Sequence, residues 1–221
     1  MRISANGVPA NFRIKKPLKN TPWSVAWSLK LKKYQVIYAD PPWPIKIISR
    51  NVRPKQLDMP YKIMTLDDIR NLPIKNIADE HECNLFIWTT QKYLPHTFSV
   101  MESWGFSYNC TITWDKTYGF TPFSFMWSTE FLLYGQLKNK WVRQPGIGKF
   151  KTCYSHKPIG HSKKPDIFRQ MIKEFCGEKR RIELFARKEP LLFDKYEGWD
   201  VWGNEVDSNI NLEVLNGKSN S

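Results

Sequence analysis

Short apolar runs alternate with polar, proline-bearing stretches along most of this chain. Tyr34 to Ala39 is β-branched and aromatic, too short for a helix, and halted by Asp40-Pro41-Pro42-Trp43, because proline cannot donate to a sheet ladder. It predicts a buried strand with a carboxylate left at its carboxyl end. Asn84 to Thr90 predicts a second buried strand, Tyr108 to Trp114 an alternating one, and Glu130 to Tyr134 and Arg181 to Ala186 two more. Thr65, followed by Asp67 and Asp68, predicts a short capped helix from Thr65 to Asn71. Pro95 to Trp104, closed by Gly105, predicts a second helix. The clearest is Pro165 to Gly177, with an apolar stripe of Ile167, Phe168, Met171, Ile172 and Phe175 and a glycine as left-handed stop. Strands alternating with helices indicate the α/β class, a sheet covered on both faces. In such sheets ligands bind outside the carboxyl ends of the strands, which is where Asp40 is left.

The remaining segments divide the chain into a basic arm over residues 1–30, a body over 31–206, and a polar, flexible tail over 207–221. Ile45 to Pro60, rich in Arg, Lys and Pro, reads as a mobile loop able to close over substrate. No run of about eighteen apolar residues and no apolar signal region occurs, so a cytoplasmic protein is expected, or a nuclear one in a eukaryote. Cys83, Cys110, Cys153 and Cys176 form no C-x-x-C pair, and Cys153, His156 and His161 match no common zinc spacing, so no metal is expected. Gly146-Ile147-Gly148 follows a basic loop rather than a strand, which does not support a dinucleotide site.

Charge adds a partner class. The formal net charge is +13, with no acid before Asp40 and none between Glu130 and Asp166. Two one-signed segments on an otherwise mixed chain point to a surface for nucleic-acid phosphates, with Lys149, Lys151, Lys157 and Lys163 as backbone contacts. A solvated loop kept soluble by charge is the alternative reading.

The tetrapeptide suits one chemistry in particular. An exocyclic amine on a flat base is a poor nucleophile until two acceptors draw its hydrogens out of the ring plane. The Asp40 carboxylate can supply one acceptor and the Pro41 carbonyl, held by the rigid Pro41-Pro42 pair, the other. Trp43 can then pack on the ring face, a contact worth roughly 1–3 kcal/mol in nucleic-acid sites. The same four residues also read as a plain turn.

Four blocks in this order resemble the MT-A70 family of adenine-N6 methyltransferases: Ala39-Asp-Pro-Pro-Trp43, Tyr61-Lys-Ile-Met-Thr-Leu-Asp-Asp-Ile69, His161-Ser-Lys-Lys-Pro-Asp166, and Arg181-Ile-Glu-Leu-Phe-Ala-Arg187 with Gly198-Trp-Asp-Val-Trp-Gly-Asn-Glu-Val206. The resemblance covers roughly residues 35 to 206 and implies S-adenosylmethionine as methyl donor. It also implies a Rossmann-like fold with a mixed, mostly parallel sheet, helices on both faces, and the catalytic block ahead of the cofactor block. By the same resemblance Asp40 holds both the target amine and the cofactor's ammonium, Lys164 meets the cofactor's carboxylate, and Arg187, Asn204 and Glu205 surround its ribose. Tyr61 and Trp43 become the aromatic candidates for an extruded base. Lys164 otherwise reads as a charge before a helix, Arg187 as a partner of Glu183 or Glu189, and Asn204 as a turn residue. The family pattern is interrupted by Lys188 to Glu197, which leaves Glu189 unassigned. Expected partners are DNA, with RNA or a cytosine amine as alternatives, and a second copy or a related methyltransferase-like subunit. A non-catalytic nucleic-acid-binding partner of the same fold is the remaining alternative.

Overall fold

A computed structural model of the chain describes residues 32–44, 64–120, 125–158, 163–188 and 196–212. The strands are β1 (Val36–Ala39), β2 (Asn84–Thr90), β3 (Phe106–Phe120), β4 (Trp127–Leu137), β5 (Cys153–Ser155), β6 (Arg181–Leu184) and β7 (Asp200–Trp202). The helices are α1 (Leu66–Arg70), α2 (Leu94–Ser103) and α3 (Asp166–Cys176), with a 3-10 turn at Ile74–Asn76. They build one sheet in the order β5-β3-β4-β2-β1-β6-β7. β1 pairs in parallel with β2 and β6, β6 with β7, and β3 with β5, while β4 runs antiparallel to both β2 and β3. This is a mixed, mostly parallel sheet of the Rossmann-like kind, with β1 placed beside the strands that come last in the chain.

Alternation along each strand sorts the core into two layers. Ile37, Ala39, Leu85, Ile87, Leu133, Ile182 and Leu184 join the layer that α1 and α2 cover, with Ile69, Val100, Met101 and Trp104. Val36, Tyr38, Phe86, Trp88, Leu132 and Tyr134 face the other way onto Phe168, Met171 and Ile172 of α3. Both faces are covered, as strands lacking a polar side require. α1 begins with a reciprocal cap in which Asp68 N–H donates to Thr65 Oγ1 and Thr65 N–H to Asp68 Oδ2, both at 3.1 Å.

Three expectations are corrected. Ile167 is 46% exposed, and Arg169 is buried on the same helix instead, because Glu183 on the facing strand supplies its counter-charge. Gly177 ends α3 at φ +71 and ψ −161, a region open to glycine but not the left-handed helical one. Residues 207–212 are not loose: Leu212 is buried in the core, and Asn209 exchanges hydrogen bonds with Val201 of β7. β3 and β4 also extend beyond their expected bounds at both ends, and β5 and β7 carry too few apolar residues to have been predicted. The arm 1–30, the Ile45–Pro60 loop and residues 213–221 lie outside the described residues.

Candidate active site

Asp40 follows β1 directly, so the strand's register carries its carboxylate to the carboxyl edge of the sheet. The turn after it is clamped. Trp43 N–H donates to Pro41 O at 2.8 Å, and Met64 N–H to Pro42 O at 3.0 Å. Trp43 is buried, stacks on Tyr93 with ring centroids 5.6 Å apart, and donates Nε1–H to the Trp88 carbonyl at 3.0 Å. Tyr93 OH donates in turn to the Pro44 carbonyl. Trp43 therefore pins the turn to β2 and α2 with one ring face already covered, which corrects its expected role as an open stacking plate. Pro41 and Pro42 are buried, and each carbonyl accepts a backbone donor while keeping a second lone pair. Tyr61 lies outside the described residues.

Lys164 stands just before α3 and donates to both carboxylate oxygens of Asp40, at 3.0 and 2.8 Å. Its ammonium is 3.4 Å from Glu130 Oε2 and 5.4 Å from the Trp88 ring centroid. Glu130 Oε1 accepts from Lys116 at 3.3 Å, which completes an alternating chain of charges: Lys116, Glu130, Lys164, Asp40. Burial alone would depress the Lys164 ammonium, but the Asp40 and Glu130 carboxylates outweigh it and hold the group above its ordinary value. Burial alone would raise the Glu130 carboxyl, yet Lys164 and Lys116 hold it below its ordinary value. Glu130 was not anticipated as a site residue. Its signal was present, since it is a lone acid opening an apolar strand, but only pairing opposite Thr90 and Trp114 brings it to this edge.

A cleft beside Asp40 is lined by Tyr38, Lys163, Lys164, Arg169, Glu183 and Arg187 among others. Arg169 donates to Glu183 through Nε at 3.0 Å and through Nη2, and its guanidinium lies 5.8 Å from the Tyr38 ring and 5.5 Å from the Tyr196 ring. Glu183 is thus a partner of Arg169. Phe185 takes φ +63, rare for a bulky side chain, and this ends β6 at Leu184 and turns Arg187 toward the cleft. Tyr196 OH holds that turn, donating to Arg187 O at 2.6 Å and accepting from its N–H at 3.1 Å.

Asn204 and Glu205 are exposed beyond the end of β7, on the same edge but two strand positions from β1, on the order of 10 Å away. Gly203 sets their position, because a Cβ there would lie 2.2 Å from the Ala186 carbonyl oxygen. The four lysines expected to contact phosphates stand at different places in the fold. Lys163 lines the cleft, Lys157 is exposed just past β5, and Lys149 and Lys151 are exposed on the crossover that climbs to β5 from the opposite edge. Among the described residues no cluster of His, Cys, Asp and Glu could hold a metal ion, and no helix is long and apolar enough to cross a membrane.

A mostly parallel sheet that delivers an acid to its carboxyl edge, beside a cleft lined from β1, α3 and the end of β6, is consistent with a Rossmann-like methyltransferase. The profile of the MT-A70 family matches residues 34–205, and the chain belongs to that family. It is 30% identical over 216 residues to the type II methyltransferase M.MunI of Mycoplasma sp, a match spanning 90% of this chain and 89% of that protein. It is 27% identical over 185 residues to the human N(6)-adenosine-methyltransferase catalytic subunit METTL3, covering 80% of this chain and 29% of METTL3. A probable N(6)-adenosine-methyltransferase of Oryza sativa is 27% identical, with 80% of this chain and 23% of that protein covered.

Proposed function

We propose that this methyltransferase moves a methyl group from S-adenosylmethionine to the N6 amine of adenine in DNA. The observation that carries the reading is the bidentate Asp40–Lys164 pair at the carboxyl edge. An ammonium and a carboxylate held side by side are the complement of the zwitterionic methionine end of that cofactor. Admitting a zwitterion exchanges one internal pair for two crossed pairs, Asp40 with the ammonium and Lys164 with the carboxylate, so no buried charge is left uncompensated. Glu130 keeps Lys164 in place during the exchange. Arg187 in the cleft, with Asn204 and Glu205 two strands away, fits the polar ribose. When bound, the cofactor supplies an electrophilic methyl on a sulfonium.

This chain's residues then act on the amine. Asp40 accepts from one N–H, and the free lone pair of the Pro41 carbonyl accepts from the other. That directs the nitrogen lone pair out of the ring plane, and the proton leaves once the nitrogen has become cationic. The adenine must be single-stranded or flipped from its duplex, at a cost of a few kcal/mol. Adenine-N6 as target is supported by the names of the METTL3-type relatives, and DNA is the nucleic acid we assign to this strongly basic chain.

The deciding experiment is tritiated methyl transfer to matched DNA and RNA, single- and double-stranded, followed by nucleoside analysis. Label in N6-methyladenine from DNA is expected. Label only in RNA or in N4-methylcytosine would move the reading to those substrates, and no transfer to any of them would leave a nucleic-acid-binding role.

A further inference from the structure

β3 is long for its task. Its pairing with β4 reaches the sheet edge at Trp114 opposite Glu130, where β2 ends at Thr90, yet β3 runs on to Phe120 and β4 begins at Trp127. Residues 116–120 and 127–129 therefore form an irregular two-stranded ribbon projecting past the edge on which Asp40 stands, by an amount on the order of 10 Å, the reach of the three residues β4 contributes. The ribbon has a rigid foot. Asp115 accepts from Ser155 Oγ, from the His156 backbone N–H and from Thr117 N–H, Thr117 sits at φ +65 in a register shift, and Lys116 is tied through Glu130 to Lys164. Its far end is the opposite of a core: Tyr118 is 57% exposed, Phe125 85% and Met126 55%.

We propose that this ribbon end is a base-stacking platform, with Tyr118 and Phe125 receiving the nucleotides that flank the adenine presented to Asp40. The inference rests on the reading of the site given above. Flat rings standing beyond the same carboxyl edge as a site for a flat base offer a π-face to a neighbouring base, whatever its sequence. Lys157, two residues past the Ser155 that pairs with Asp115, supplies a cation for the phosphates beside them. A second protein copy fits less well. A stable interface engages about 20–30 residues a side, whereas the ribbon end presents three exposed large apolar residues among the described ones.

The test measures fluorescence anisotropy of the full chain with a single-stranded oligodeoxynucleotide carrying one adenine, and with the same strand made abasic on both sides of it. Tyr118→Ala with Phe125→Ala should weaken binding of the intact strand by roughly thirtyfold or more. The abasic strand should bind wild type as weakly and lose nothing further in the variant. Cofactor affinity and the salt slope should stay unchanged, because no charge is removed. Tyr118→Phe with Phe125→Tyr should restore binding. Equal affinity of wild type and the alanine variant for the intact strand, or a loss that sedimentation traces to a broken dimer, overturns the platform. Anisotropy reads binding without turnover, so absence of adenine methylation would sink the proposed reaction while leaving this measurement interpretable.

Discussion

Two ion pairs sit within a few residues of each other in the same cleft, and they are built for opposite purposes. Arg169–Glu183 joins a planar guanidinium to its carboxylate through two nitrogens, with rings of Tyr38 and Tyr196 near it and side chains 11% and 10% exposed. Asp40–Lys164 joins a carboxylate to a point charge, is more open at 24% and 14%, and shares its lysine with Glu130. The first sets a planar guanidinium near two rings, with Asp166 of α3 itself at 3.2 Å from another of its nitrogens, so it braces α3 against β6. The second offers alternatives, since an ammonium has three donors and no fixed plane. A point charge in the more open pair suits a binding site, and a planar group flanked by rings in the more buried pair suits its frame.

The sharpest way to break this contrast is Asp40→Ala. Methyl transfer should fall at least about a thousandfold, roughly 4 kcal/mol of barrier, while the fold and a weakened cofactor affinity survive. Turnover like wild type would remove Asp40 from the chemistry. Arg169→Ala should act in the other direction, on stability, because it takes the guanidinium away from Glu183, whose side chain is only 10% exposed. A loss of about 3–5 kcal/mol by urea unfolding is expected, and Arg169→Met with Glu183→Gln should recover most of it. An Arg169→Ala protein as stable as wild type would show that this pair is not a frame.

Glu130→Gln probes the shared lysine. The KM for cofactor should rise roughly tenfold, about 1.4 kcal/mol, with kcat less affected. Its pH signature follows from sign. A carboxyl held below its ordinary 4.5 in the folded state adds stability that is present above pH 4.5 and lost as pH falls through the folded value. The difference in Tm between wild type and Glu130→Gln should therefore be constant near neutrality and close below about pH 4.5. Lys164, held above its ordinary 10.5, contributes below that pH and ceases to only on the far alkaline side. The smallest effect separates both pairs from surface charge. Neutralising Lys149 and Lys151 should weaken binding to all sequences alike and flatten the salt dependence by about one unit per lysine. An unchanged slope would assign them to solubility.

Much of the fold was legible in advance. β2 runs Asn84–Thr90 as its apolar run predicts, Thr65 caps α1, and α3 starts and stops within a residue of its proline and glycine. These features are local, set by residues within a turn or two of one another. Ile167 was misread, and Arg169 was passed over, because periodicity ranks residues by apolarity, whereas Arg169 is buried by a carboxylate some way along the chain. Trp43 was misread because a tryptophan after two prolines looks available until Tyr93 is packed on it.

For the site the division is similar. Asp40 at a strand end and Lys164 before a helix are local facts, and the chain alone placed them there. That the two touch, that Glu130 and Lys116 continue the charge chain, and that Asn204 and Glu205 stand two strands away are consequences of strand order. Sequence determines which groups end each strand, because sterics and hydrogen bonding act over neighbouring residues. Only the folded sheet decides which of those ends adjoin, because adjacency between distant segments is set by burying both faces at once.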